Sequence, residues 1–124
     1  MNKLTLINKA VDQAIKSEYY QKVGAIIFDK NIIVSTGYNQ PLRSVRSATF
    51  KFFKNKYSVH AEVDAIIKAK CDLKGKSILV VRINSEGKLM KAKPCSYCRD
   101  YLNYVGIKNI YYSSGYIDSI KKLS

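Results

Sequence analysis

The residue types that grip a soft divalent metal are few in this chain, and they fall at telling intervals. His60 is the single histidine among 124 residues, and Glu62 stands two places after it in Ser58-Val59-His60-Ala61-Glu62-Val63-Asp64. Some thirty residues on, Pro94-Cys95-Ser96-Tyr97-Cys98 carries two of the three cysteines. One imidazole and two thiolates hold zinc on three sides of a tetrahedron and leave the fourth to water, the mark of a catalytic site. Such a site lowers the pKa of bound water from near 16 to about 7, giving hydroxide at neutral pH. Glu62 is close enough along the chain to take that water's proton and deliver it elsewhere. An open zinc corner with a proton shuttle beside it is suited to hydrolytic removal of an exocyclic amine.

Each motif alone has a plainer reading. A C-x-x-C is also a redox pair or half of a zinc knuckle. The redox reading wants a thioredoxin-like context, and the knuckle wants a fourth protein ligand. Cys71 is the remaining cysteine, but a helix of about 11 residues from His60 puts it roughly 15 Å away. It is expected to be a small buried hydrophobe. The expectation is therefore one zinc per chain, held by His60, Cys95 and Cys98.

The elements that position these groups can be read from apolar spacing. Leu4, Ile7, Val11 and Ile15 recur at helical intervals and predict an amphipathic helix covering one face of a sheet. Val23–Phe28 and Ile32–Ser35 are β-branched runs about the turn Asp29-Lys30-Asn31, which predicts an antiparallel hairpin with both strands central. Gly37 to Pro41 ends the second strand, and an irregular stretch, Leu42 to Val59, follows. From His60 a helix with Val63, Ile66 and Ile67 on one face runs toward Cys71. Ser77–Ile83 reads as a buried strand, and Lys88–Lys93 as a loose edge segment. Cys95 starts a helix facing inward through Tyr101, Leu102 and Val105, with Pro94 at its entry and Gly106 as its stop. Asn109–Ser113 is the next strand, and after Ser113-Ser114-Gly115 a hairpin return strand is favoured over a helix. Strand and helix alternate from residue 32 to 113, which implies right-handed crossovers between parallel strands. The fold class is α/β: a three-layer α/β/α sandwich with a mixed, about five-stranded sheet. Both metal motifs begin helices at carboxyl ends of strands, where open α/β sheets bind ligands.

Length and composition bound the partners. At 124 residues the chain is read as one domain, residues 1–124, with an ordinary 47% hydrophobic and 25% charged content. No apolar run approaches the roughly 20 residues that span a bilayer. Polar residues interrupt the amino terminus every two or three positions, unlike a secretory signal, and a cytoplasmic, reducing location is expected. Twenty-two basic against 9 acidic residues give a net charge of +13, a field that favours phosphorylated ligands or a solvated lysine surface. Arg43 and Arg46 are candidates for gripping phosphate, since guanidinium forks match phosphate oxygens, or they sit on a solvated loop. Phe50, Phe52, Phe53 and Tyr57 interleave with lysines, as in a base-stacking platform. The same cluster suits core or subunit packing, and a homo-oligomer is expected.

His60-Ala61-Glu62 and Pro94-Cys95-Ser96-Tyr97-Cys98, with Gly37-Tyr38-Asn39-Gln40-Pro41, resemble the cytidine/deoxycytidylate deaminase superfamily over nearly the full length of the chain. The resemblance implies the cytidine deaminase-like fold, zinc on His60, Cys95 and Cys98, and Glu62 as proton shuttle. It also implies that Asn39 hydrogen-bonds substrate near the sugar and that the Ala61 backbone helps hold the base. Deoxycytidylate and tRNA adenosine deaminases carry His in the first motif, whereas many free-cytidine deaminases carry Cys. Asp64 departs from the common H-A-E-x-N pattern. The expected substrate is the cytosine of a small nucleotide or nucleoside, of dCMP or CMP type. The alternative is a cytosine or adenine base in single-stranded DNA, RNA or tRNA.

Overall fold

The computed structural model describes residues 3–19, 21–30, 32–41, 58–115 and 120–123. Among the described residues three helices flank the sheet: α1 (Lys3–Ile15), α2 (Ala61–Ala69) and α3 (Ser96–Val105). The strands are β1 (Lys22–Asp29), β2 (Ile32–Tyr38), β3 (Gln40–Pro41), β4 (Ser58–Val59), β5 (Ser77–Ile83), β6 (Leu89–Met90), β7 (Asn109–Ser113) and β8 (Ile120–Lys122). Six of them form one mixed sheet in the order β2-β1-β5-β7-β8, with β6 joined to β5, and β3 pairs with β4 apart from it. That is one strand more than expected, because the segment after Asn84 turns back and pairs Met90 with Arg82 and Leu89 with Ile83.

The direction of each strand follows from its connection. The β1–β2 hairpin is antiparallel, as the turn composition predicted, and β1 is also antiparallel to β5. The crossover through α3 makes β5 and β7 parallel, pairing Ser77–Val80 with Asn109–Tyr112. The chain then returns as β8, antiparallel to β7, the hairpin strand favoured over a helix.

Alternation along β1 and β5 sorts the core into two faces. Ala25, Ile27, Ile78 and Val80 pack with Ala61 and Ala65 of α2 and Leu102 of α3. Ile26, Leu79 and Val81 pack on the other side against Ile7 and Ala10 of α1. Val63 and Cys98 close the seam between α2 and α3. The three-layer reading holds.

Several local readings are corrected. The inward face of α1 is Ile7, Ala10 and Ala14, while Leu4 and Ile15 are 57% and 60% exposed. Small residues face the sheet because α1 lies almost in contact with β1. A Cβ on Gly24 would come 2.1 Å from the Ala10 carbonyl oxygen and 2.6 Å from the Ala14 nitrogen. Strand β2 is at the sheet edge, covered by α2 on one face but with exposed Ile32, so only β1 of the hairpin is central. Lys70 caps α2 in the left-handed conformation, so Cys71 falls beyond the helix and is exposed instead of buried. Of the irregular stretch Leu42 to Val59, β4 is described; Arg43, Arg46, Phe50, Phe52, Phe53 and Tyr57 lie outside the described residues. Among the described residues no helix is long and apolar enough to cross a membrane.

The α1–β1 approach gives a stability test. Gly24→Ala must push backbone against backbone and should cost about 1–3 kcal/mol or more, read as a lower denaturant midpoint at constant slope. A variant as stable as the parent would mean that α1 rides higher above the sheet.

Candidate active site

Helices α2 and α3 both start at the residues singled out in the sequence. His60 is the N-cap of α2 with extended backbone, and its carbonyl accepts the Asp64 N–H at 3.0 Å. Cys95 is the N-cap of α3, its carbonyl accepting the Arg99 N–H at 2.9 Å, and Cys98 sits one turn in, fully buried. The His60 Nδ1 is 3.0 Å from the Cys98 Sγ and 3.6 Å from the Cys95 Sγ. All three donor atoms lie within 4.8 Å of one another. Zn–S bonds of about 2.3 Å and Zn–N bonds of about 2.0–2.1 Å put the donors of a tetrahedral site roughly 3.5–3.8 Å apart. The donor set suits zinc, and its spacing is close to that of a tetrahedral site, with the His60–Cys98 pair needing to open by about half an ångström.

Electrostatics divides the two thiols. A hydrogen bond from the Cys98 thiol pulls Cys95 down to about 5, against the opposing effect of burial, with help from the Tyr97 and Cys98 backbone amides and from His60. Donating that hydrogen bond, and burial, push Cys98 up. Cys95 is thus the thiol that ionises first, and Cys98 holds its proton more tightly.

Glu62 is 4% exposed, in the first turn of α2. Burial raises its pKa above the usual carboxylate range, while its own backbone amide, His60 and a hydrogen bond with Cys98 draw it back. A carboxyl so placed, with its proton affinity raised by burial and beside His60, Cys95 and Cys98, is equipped to hold a proton and pass it on.

These groups open onto a cleft of about 500 Å³, lined in part by His60, Ala61, Glu62 and Cys95. Asn39 also lines it. Its side chain is held in place by the start of β1: Oδ1 accepts the Val23 N–H at 2.9 Å, and Nδ2 donates to the Gln21 carbonyl at 2.7 Å. Asp64 is buried away from the cleft. It accepts the Tyr38 N–H at 3.1 Å and pairs with Lys68 at 2.8 Å, so the residue that departs from the common pattern fastens β2 to α2. Arg43 and Arg46 lie outside the described residues.

Tyr19, Gln21, Arg82, Lys91 and Lys93 line the cleft as well and were missed in the sequence. Arg82 had a detectable signal. It interrupts the apolar run Ser77–Ile83, and a charge in a buried strand needs a reason. Its Nε is buried with no hydrogen-bond partner among the described residues, a situation that costs about 1–3 kcal/mol or more if nothing satisfies it.

Comparison with known proteins agrees with this geometry. The model of the family described as "Cytidine and deoxycytidylate deaminase zinc-binding region" matches residues 2–114. No curated protein sequence matches the chain significantly. Among solved structures, the chain is similar to the dCMP deaminase of cyanophage S-TIM5, at 21% identity and TM-score 0.64 over 89% of this chain and 80% of that one. That enzyme is also known in complex with dCMP and dUMP. Cytidine deaminase from Burkholderia pseudomallei aligns at 19% identity and TM-score 0.67, covering 100% of this chain and 93% of the other. The enzyme from Mycobacterium leprae aligns at 20% identity and TM-score 0.61, covering 98% and 93%. These likenesses establish a cytidine deaminase-like α/β fold. With the family match spanning nearly all of the sequence, the chain belongs to the cytidine and deoxycytidylate deaminase zinc-binding family.

Proposed function

We propose that this protein is a zinc-dependent hydrolytic deaminase acting on the cytosine of a small nucleotide or nucleoside, of dCMP or CMP type. The observation that carries the reading is the buried Glu62 carboxyl beside the His60, Cys95 and Cys98 donors, in the lining of a cleft of about 500 Å³. That volume is in the range of small-molecule sites. His60, Cys95 and Cys98 would hold the zinc, which would supply a water activated at neutral pH. Glu62 moves both protons of the attacking water in turn, the first to the ring nitrogen as the C–O bond forms and the second to the amine as the C–N bond breaks, so that ammonia leaves. Ala61, at the first position of α2, borders the base, and Asn39 offers its amide near the sugar. The dCMP and dUMP complex of the cyanophage enzyme supports a nucleotide of this size.

The charge of +13 favours a second reading, a deaminase of single-stranded nucleic acid. Ammonia release measured across nucleosides, nucleotides and short oligonucleotides, at several salt concentrations, separates the two. For a mononucleotide, few basic groups meet phosphate, and affinity should fall only modestly as salt rises. For a strand, log affinity falls against log salt with a slope near −0.7 per phosphate neutralised. The expected result is turnover of the nucleotide with a shallow slope. A steep slope with turnover of oligonucleotides alone would replace the first reading by the second.

A further inference from the structure

Resting on that reading, we propose that Arg82 is a specificity-determining residue that grips the phosphate of a 5′-mononucleotide, with Lys91 and Lys93 beside it. Arg82 follows Ile78 and Val80 on the face of β5 that meets α2 and α3, and Val80 and Arg82 both line the cleft. It is built into the sheet. It pairs with Val23 of β1 on one side and Met90 of β6 on the other, and its backbone N–H donates to the Ser113 hydroxyl at 3.2 Å. The same hydroxyl donates to the Met90 carbonyl at 2.6 Å, fastening β6 where the pairing of β5 with β7 has ended.

The Arg82 backbone is therefore firmly anchored, and among the described residues no carboxylate pairs with its guanidinium, whose Nε is buried without a partner. A planar fork left without a carboxylate in a cleft matches the oxygens of a phosphate. Lys91 and Lys93 are exposed on either side of buried Ala92, whose N–H is held by the Ser113 carbonyl at 2.9 Å. Lys93 is two residues before Cys95, so their Cα atoms are at most about 7 Å apart. Three cations lining the one cleft that also holds His60, Glu62 and Cys95 suit a single dianionic phosphomonoester better than a series of phosphodiesters. They also place the phosphate on β5 and on the segment before Pro94, not on the stretch bearing Arg43 and Arg46.

The test is the affinity of the zinc-loaded full chain for dUMP and for deoxyuridine, by calorimetry, so that it does not depend on turnover. The parent should prefer dUMP. Arg82→Gln should reduce that preference by about 10–100-fold, as expected for a hydrogen-bonded charge pair. Arg82→Lys keeps the charge but loses the fork and should fall between the two. The exposed pair Lys91→Gln and Lys93→Gln should together reduce the preference roughly 2–10-fold. These lysines decide the matter if Arg82→Gln does not fold. Lys108→Gln removes an equal charge at the other end of the parallel strands and should leave the preference intact. A folded Arg82→Gln with unchanged preference would overturn the proposal, as would a parent with no preference or loss confined to Arg43→Ala and Arg46→Ala. If the parent deaminates no cytosine nucleoside or nucleotide but its dUMP preference depends on Arg82, the deaminase reading falls and the phosphate site stands. If it deaminates and its preference is indifferent to Arg82, the phosphate site falls and the deaminase reading stands.

Discussion

Glu62→Ala is expected to fold, to hold one zinc per chain and to lose turnover by about 10²–10⁴-fold, at the upper end of that range. The upper end follows from the number of proton transfers assigned to one carboxyl: from the attacking water, to the ring, and to the leaving amine. Zinc is retained because the donor group consists of His60, Cys95 and Cys98, with Glu62 outside it. The fold is retained because the carboxyl is buried at a desolvation cost that alanine relieves. Metal analysis and circular dichroism establish those two points, and ammonia release establishes the third. A variant that kept most of its activity would remove Glu62 from the chemistry. One that lost zinc would instead make it a ligand.

The second large effect belongs to the thiols. Cys95→Ser and Cys98→Ser should each lower zinc affinity by more than the ~10–100-fold typical of outer-shell partners, because a ligand itself is removed. Turnover should fall with it. Treatment of the parent with a strong chelator should abolish activity, and added zinc should restore it. Cys71→Ser serves as the control, since Cys71 is exposed and outside the donor group. Zinc content unchanged in both Cys95→Ser and Cys98→Ser would show that the metal sits elsewhere.

The residues at the heart of the site were legible because metal ligation restricts both residue type and spacing. One histidine and a C-x-x-C leave few ways to assemble a three-donor group, and the structure brings those donors together. Strands β5 and β7 were legible to the residue, as their apolar runs are bounded by Gly75 and Gly106. Helix α1 was placed correctly but rotated. Counting large apolar residues favours Leu4 and Ile15, whereas contact with β1 at Gly24 admits only the small side chains of Ala10 and Ala14. The basic part of the cleft went unread for another reason. Arg82, Lys91 and Lys93 come to line one cleft through the return of β6 onto β5, a pairing that no local pattern announces.

The bond from the Tyr38 N–H to Asp64 borders a much closer approach of β2 to α2. A Cβ on Gly37 would come 2.4 Å from the Ala65 nitrogen and 2.5 Å from the Ala61 carbonyl oxygen, so the two elements touch backbone to backbone. On the far side of that contact the Ser35 hydroxyl donates to the Ala65 carbonyl at 2.7 Å. Asn39 comes one residue after β2, and Glu62 stands in the first turn of α2. The two side chains are therefore mounted on a single clamped block. Their separation is set when the chain folds and does not have to be searched for when a substrate arrives. A reacting group misplaced by about 1 Å can cost roughly 10²-fold in rate. Loosening this clamp would thus weaken catalysis out of proportion to its effect on stability, through a glycine that never meets the substrate.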